Sequence, residues 1–231
     1  MKKIRKKSKK KMTKKHRKHR MNRIVKVGFV ILCLFTLLVV VLKKVNPGVL
    51  SFKYFELSSQ EIDASKPEIK VELLTVNPYS RPGIETGKIN GIVIHYTANP
   101  GASAKANRDY FENLKDTHTT KASSNFVIGI DGEIIQCVPT WEIAYASNER
   151  NKDTVSIECC HPDESGGFTK DTYRSLVQLT AWLCLKFDLN AEDVIRHYDV
   201  TGKNCPKYFV ENEETWEAFQ EDISNTLANK K

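Results

Sequence analysis

The chain has 231 residues, with 36 Lys/Arg against 28 Asp/Glu and a formal charge of +8. That length holds one ordinary domain with extensions and leaves room for a full core. The charge would suggest a nucleic-acid partner if it were spread evenly, but residues 1–44 hold 17 of the basic residues and no acid, leaving 19 basic against 28 acidic residues beyond them. A basic tail followed by an acidic domain excludes nucleic acid as the expected partner.

Residues 1–23 form the basic tail, in which His16 and His19 sit among cations that disfavour metal binding. The run Ile24 to Leu42 follows, nineteen residues that are apolar except for Lys26 and Thr36. At about 1.5 Å per residue this run is close to the roughly 30 Å of a hydrocarbon core. The basic excess before it, against only Lys43 and Lys44 after it, predicts a cytoplasmic N-terminus and an exported remainder. A cleaved signal peptide is the rival reading, but Val39 to Lys44 lacks the small residues of a cleavage site. The expectation is a single-pass signal anchor in the cell membrane at 24–42. Residues 43–80, rich in Ser, Glu, Lys and Pro without periodicity, read as a stalk. The domain is then expected over 81–231.

Within it, Gly91 to Tyr96 predicts a buried strand, and Ser103 to Leu114 a helix capped by Ser103. Asn125 to Ile130 and Glu133 to Val138 predict a hairpin about Asp131-Gly132. Asp153 to Cys160 reads as a strand. Thr169 to Phe187 reads as the longest helix, with Thr169 as its cap, and Val194 to His197 as a short strand. Glu213 to Leu227 reads as a last helix. Strands and helices interleave around a hairpin, which predicts a mixed α/β fold with a central mixed sheet flanked by helices.

Three residues stand out chemically. His95 ends the run Ile92-Val93-Ile94, and His197 and Cys205 lie eight positions apart across a loop containing Gly202. Two imidazoles and a thiolate make three of the four ligands of a tetrahedral zinc, with the fourth position open as in catalytic sites. Of the other cysteines, Cys33 lies in the apolar run. Cys137, Cys159, Cys160 and Cys184 are readable either as small buried hydrophobes or as disulfide partners. Trp141, Tyr145 and Tyr173 are candidates for lining a sugar groove, although aromatics at such spacings usually belong to a core. His118 reads as exposed, and His161 as an ordinary loop histidine.

Four separated motifs then agree in order and spacing: Ile92 to Thr97, Asn125 to Ile128 before Asp131-Gly132, Ser156-Ile157-Glu158, and His197 through Cys205-Pro206. Together they resemble the zinc-dependent N-acetylmuramoyl-L-alanine amidases of the type 2 family, which are related to phage amidase lysozymes and peptidoglycan recognition proteins. The resemblance covers roughly Arg81 to Phe219. It implies zinc as cofactor, held by His95, His197 and Cys205, and peptidoglycan as substrate. It also implies catalytic roles for Glu158 as general base and for Lys203 in stabilising developing negative charge. The alternative is a non-catalytic peptidoglycan-binding domain on the same fold. Recognition members typically lose a metal ligand, most often the cysteine, whereas Cys205 is present here. A different zinc hydrolase is disfavoured by the lack of a His-Glu-x-x-His motif. The chain departs from the phage branch at Ser124-Asn125-Phe126, where that branch has a catalytic tyrosine. It departs again at Ser156, where many relatives have glycine.

Overall fold

The structure is a computed structural model that describes residues 62–229. The basic tail, the apolar run 24–42 and the first part of the expected stalk lie outside the described residues. Among those described, no helix is long and apolar enough to cross a membrane.

Six strands form one sheet: β1 (Lys70–Val71), β2 (Gly91–Tyr96), β3 (Phe126–Ile128), β4 (Ile134–Gln136), β5 (Thr154–Cys159) and β6 (Val194–Arg196). Their spatial order is β1-β4-β3-β5-β2-β6. Every neighbouring pair is parallel except the β3–β4 hairpin, so the sheet is mixed. Among the described residues five α-helices pack with it: α1 (Ala104–Thr117), α2 (Lys170–Phe187), α3 (His197–Thr201), α4 (Lys207–Glu211) and α5 (Glu213–Ala228). The start signals work as read. Ser103 Oγ accepts from the Ala106 N–H, and Thr169 Oγ1 accepts from the Thr172 N–H, each satisfying an otherwise orphaned helical donor. Gly132 sits at φ +84°, and a Cβ there would lie 2.9 Å from the Asp171 carbonyl oxygen. Glycine is therefore required both for the hairpin turn and for its close approach to the start of α2.

Because side chains alternate along a strand, the two faces of the sheet receive different residues. Ile92 and Ile94, Phe126 and Ile128, and Val155 and Ile157 turn toward α2 and α5. There they join Tyr173, Leu176, Val177, Phe219 and Ile223 in the larger core. Val127 and Ile135 turn the other way and pack with Phe111 and Leu114 of α1 and with Val138. This second core is smaller, and α1 packs mainly against β3 and β4, to one side of β2 and β5. Val127 pairs with Glu158, and Glu158 with His95, so both polar residues emerge on this half-covered face.

The boundary expected at residue 81 is corrected by the structure. Residues 62–80, read as stalk, belong to the folded unit. β1 pairs with β4, the Leu74 N–H donates to the Cys137 carbonyl at 2.9 Å, and Leu74 is buried in the second core. Ile62 joins the larger core. The segment lacks periodicity because it is held mainly by bonds to its backbone. The Arg108 guanidinium donates to the Glu72 and Leu73 carbonyls at 3.1 and 3.0 Å, while Val71, in β1 itself, is 62% exposed. Cys137, Cys159, Cys160 and Cys184 are all buried and unbridged, in the manner of small core residues.

Candidate active site

His95 is the fifth residue of β2 and Glu158 the fifth of β5. Parallel pairing in register sets them side by side on one face. His197 opens α3 directly after β6, which pairs with β2 on its other side. The junction is pinned by buried Arg196. Its guanidinium donates to Glu213 at 2.6 Å, to Asp199 at 3.0 Å and to the Phe209 carbonyl at 3.2 Å. Gly202, at φ +74°, ends α3 and turns the chain back. The Tyr198 N–H then donates to the Cys205 carbonyl at 2.8 Å, and this closed loop returns the thiol to the histidines.

His95, His197 and Cys205 each offer one donor atom, and these atoms all lie within 4.8 Å of one another. Cys205 Sγ is 3.9 Å from His95 Nδ1, and the two imidazole centroids are 4.6 Å apart. The far ring nitrogen of His95, Nε2, lies 3.1 Å from Ser147 Oγ. An Nε2–H donated to that hydroxyl leaves Nδ1 as the bare nitrogen facing the thiol, the arrangement that metal-ligating histidines use to fix tautomer and ring orientation. Ser147 is itself fixed, since its N–H and that of Ala146 both donate to Asn151 Oδ1, at 2.6 and 3.1 Å.

The electrostatics favour a cation. Burial, with His197 and Lys203 nearby, pushes His95 well below the usual imidazole range and keeps it a neutral donor. Burial likewise lowers His197. Cys205 is pushed up to about 12 by burial and by the Glu158 charge, against the opposing pull of the Tyr96 backbone N–H and of Lys203. A thiol so raised becomes a thiolate only beside a strong positive charge, such as a divalent ion. Glu158 Oε1 lies 4.0 Å from His95 Nδ1, and burial raises this carboxyl to about 8 while Lys203 pulls the other way. Its Oε2 is buried with no hydrogen-bond partner. Two neutral imidazoles and a thiol are the donor set expected around a soft-to-borderline divalent metal, with the orphaned Glu158 oxygen beside them free for a proton, so these residues fit zinc.

This cluster floors a groove of about 340 Å³, whose walls include Tyr96, Tyr145, Lys121 and Asn151. Lys203 is exposed on its lip, and Lys121 Nζ lies 5.5 Å from the Tyr145 ring centre.

Residues 85–208 match the sequence profile of the family described as N-acetylmuramoyl-L-alanine amidase. The chain belongs to that amidase family. Among its relatives is the N-acetylmuramoyl-L-alanine amidase CwlL of Bacillus licheniformis, 34% identical over 67% of this chain and 46% of that protein. Another is BlyA of Bacillus subtilis strain 168, 31% identical over 68% of this chain and 47% of the relative. The chain thus spans about half the length of the curated relatives it matches. Among solved structures, a mutant endolysin from Bacillus subtilis superposes with a TM-score of 0.58 at 26% identity, covering 68% of this chain and 99% of that one. The mixed sheet flanked by helices is the architecture of this amidase family.

All five residues singled out in the sequence of this amidase-family chain, His95, Glu158, His197, Lys203 and Cys205, line the one groove. The Ser124-Asn125-Phe126 departure has a structural use instead. Ser156 Oγ lies 3.1 Å from Ser124 Oγ, Asn125 Oδ1 accepts from the Ser156 N–H at 3.0 Å, and Asn125 Nδ2 donates to the Pro139 carbonyl at 3.0 Å. The serine at 156 and the asparagine at 125 therefore form a buried clamp beneath the site. Tyr173 is core and Tyr145 is groove wall, whereas Trp141 is exposed away from the groove. His118 is exposed, capping α1 and stacking on Tyr79 at 4.3 Å. His161 is buried, with Nδ1 2.8 Å from the Asp163 carbonyl oxygen. Ser147 was not found by sequence reasoning, because a serine in a loop carries no spacing signal for a ring it meets 52 positions away.

Proposed function

We propose that the chain is a membrane-anchored, zinc-dependent amidase that hydrolyses the bond between the lactyl group of N-acetylmuramic acid and the first L-alanine of the peptidoglycan stem peptide. The observation that carries this reading is the convergence of His95, His197 and Cys205 beside an unpartnered, buried Glu158 on the floor of an open groove. A zinc ion held by the three residues would supply Lewis acidity, polarising a carbonyl and acidifying water.

The remaining work falls to the protein. Ser147 holds the His95 ring in the orientation that presents Nδ1. Glu158, raised toward neutrality by burial, accepts a proton from the attacking water and delivers it to the departing alanine nitrogen. Lys203, on the lip, sets its ammonium where negative charge grows on the carbonyl oxygen. The groove walls hold the glycan–peptide strand so that the scissile amide lies over the floor.

Ile24 to Leu42 would anchor this domain with the tail inside and the groove on the cell-wall side. At most 19 residues, 43–61, separate that run from the first described residue. Fully extended they span no more than roughly 65 Å, which keeps the enzyme on membrane-proximal wall. The test is metal analysis of the purified full-length chain, combined with stem-peptide release from purified wall with and without chelator. About one zinc per chain and chelator-sensitive release are expected. Wall binding without any release would overturn the reading in favour of a recognition domain.

A further inference from the structure

A second cavity, of about 220 Å³, lies away from the catalytic groove. Its lining includes Trp141, Trp182, Lys66, Lys186, Gln136 and Thr140. Gln136 and Phe126 alternate onto the α2 face of the sheet, opposite the face that carries His95 and Glu158, and Trp182 and Lys186 come from α2 itself. The cavity therefore sits at the β1–β4 edge and shares no lining residue with the groove.

Its chemistry is unusual for this domain. Residues 62–229 carry 16 Lys/Arg against 26 Asp/Glu, yet here two lysines converge on one indole. Lys66 Nζ is 5.8 Å and Lys186 Nζ 5.3 Å from the Trp182 ring centre. No carboxylate among the described residues pairs with either ammonium, and Lys186 is steadied instead by donating to buried Thr140 Oγ1 at 3.0 Å. Burial, and next the Lys66 charge, lowers the Lys186 ammonium, so the two cations feel one another. Trp141, which also lines the cavity, is 63% exposed. An exposed indole is a platform for the C–H face of a sugar ring, and two unpaired ammoniums are a receptor for a carboxylate or phosphate. The volume falls below the about 300–1,000 Å³ of pockets that enclose whole small molecules, which suits one unit of a longer polymer.

The geometry points to a second, non-catalytic binding site for an anionic carbohydrate polymer, held between Trp141 and Trp182 with its acidic group on Lys66 and Lys186. Two wall-side sources share that chemistry: peptide carboxylates carried on a glycan, and the phosphodiesters of a polyol-phosphate chain. Occupancy of this site would hold the domain on its substrate layer without touching the reacting groups.

Indole fluorescence reads the site directly, since two of the three tryptophans line it, the third, Trp216, is in the core, and none lines the catalytic groove. The full-length chain in detergent is titrated with muramyl dipeptide, with poly(glycerol phosphate) and with neutral chitotetraose. A saturable emission change with one or both anionic probes is expected. It should weaken with added salt and be at least about tenfold weaker in Lys66→Gln/Lys186→Gln and in Trp141→Ala. A response to muramyl dipeptide alone assigns the carboxylate source, and one to the phosphate polymer alone assigns the phosphodiester. No response to either anionic probe, equal affinity for the neutral sugar, or unchanged affinity in the lysine variant would overturn the proposal. All three substituted side chains are outside the catalytic machinery, so turnover of a soluble muropeptide should be unchanged. That measurement also separates failure of this site from failure of the amidase reading.

Discussion

The two faces of the sheet are built from the same strands and do opposite things. Toward α2 and α5 the central strands β2, β3 and β5 present apolar side chains, and Tyr173, Leu176 and Phe219 close over them. Toward α1 the core is smaller, and beside it, where β2 pairs with β5, the face carries His95 and Glu158 in place of apolar residues. Complete burial offers stability and no chemistry. Burying polar groups without full partners costs stability, because Glu158 Oε2 is left without a hydrogen bond, but it creates neutral imidazoles and a carboxyl raised to about 8. The difference teaches that the site is a region where the core was left unfinished on a rigid, fully packed backing.

The contrast predicts that substitutions on the two faces separate activity from stability. The largest effect is expected from Cys205→Ala, which should abolish both metal binding and hydrolysis; full zinc occupancy by metal analysis in that variant would contradict the ligand assignment. Next is Glu158→Gln, expected to lower kcat by roughly 10²–10⁴-fold while zinc content stays at the wild-type level. Its Tm should equal or exceed that of the wild type, since a neutral amide replaces a buried carboxyl with an orphaned oxygen. A large fall in Tm there would erase the proposed division of labour. On the closed face, Phe219→Ala should cost about 3–5 kcal/mol by denaturant unfolding, while molecules that remain folded keep their kcat.

Much of this was legible beforehand, for reasons that particular residues show. Gly91 to Tyr96 is apolar because both faces of β2 are covered, so its limits could be read directly. Ser103 and Thr169 announced their helices through cap chemistry that is local in sequence. Glu158 and His95 could be placed at strand ends, but their adjacency depends on β2 pairing with β5, a contact between segments some sixty residues apart. Ser147 and the segment 62–80 were invisible for a common reason. Each is held by side-chain-to-backbone or ring-to-hydroxyl bonds that impose no periodicity, and β1 contributes only two residues to the sheet.

Those two hidden features supply the smaller predictions. Ser147→Ala removes the partner of His95 Nε2 and should weaken zinc affinity by about 10–100-fold in a competitive chelator titration. Restoration by Ser147→Thr would show that the hydroxyl, not the loop packing, is responsible.

The smallest effect concerns the half-covered face, where Glu112 of α1 fastens the 62–80 segment. Its carboxylate accepts from the Thr75 N–H at 3.0 Å and from the Thr75 hydroxyl at 2.6 Å, with Lys115 at 3.0 Å and Arg108 at 3.3 Å. Burial alone would raise this carboxyl, but those bonds and charges outweigh it and hold it down at about 2. A folded value below the unfolded one near 4.5 means that the clamp stabilises fully above that value and is lost as pH falls toward about 2. Glu112→Gln should therefore cost about 1.5–3 kcal/mol at neutral pH, and the gap from wild type should close on acidification through that window. Because the carboxylate grips the segment that carries Leu74 into the second core, amide exchange at Leu74 should quicken in the variant while exchange at Ile94, on the closed face, stays unchanged. Equal quickening at both would mean that the two faces open together, and the sheet would then be one cooperative layer, not a rigid backing with a loosely covered working side.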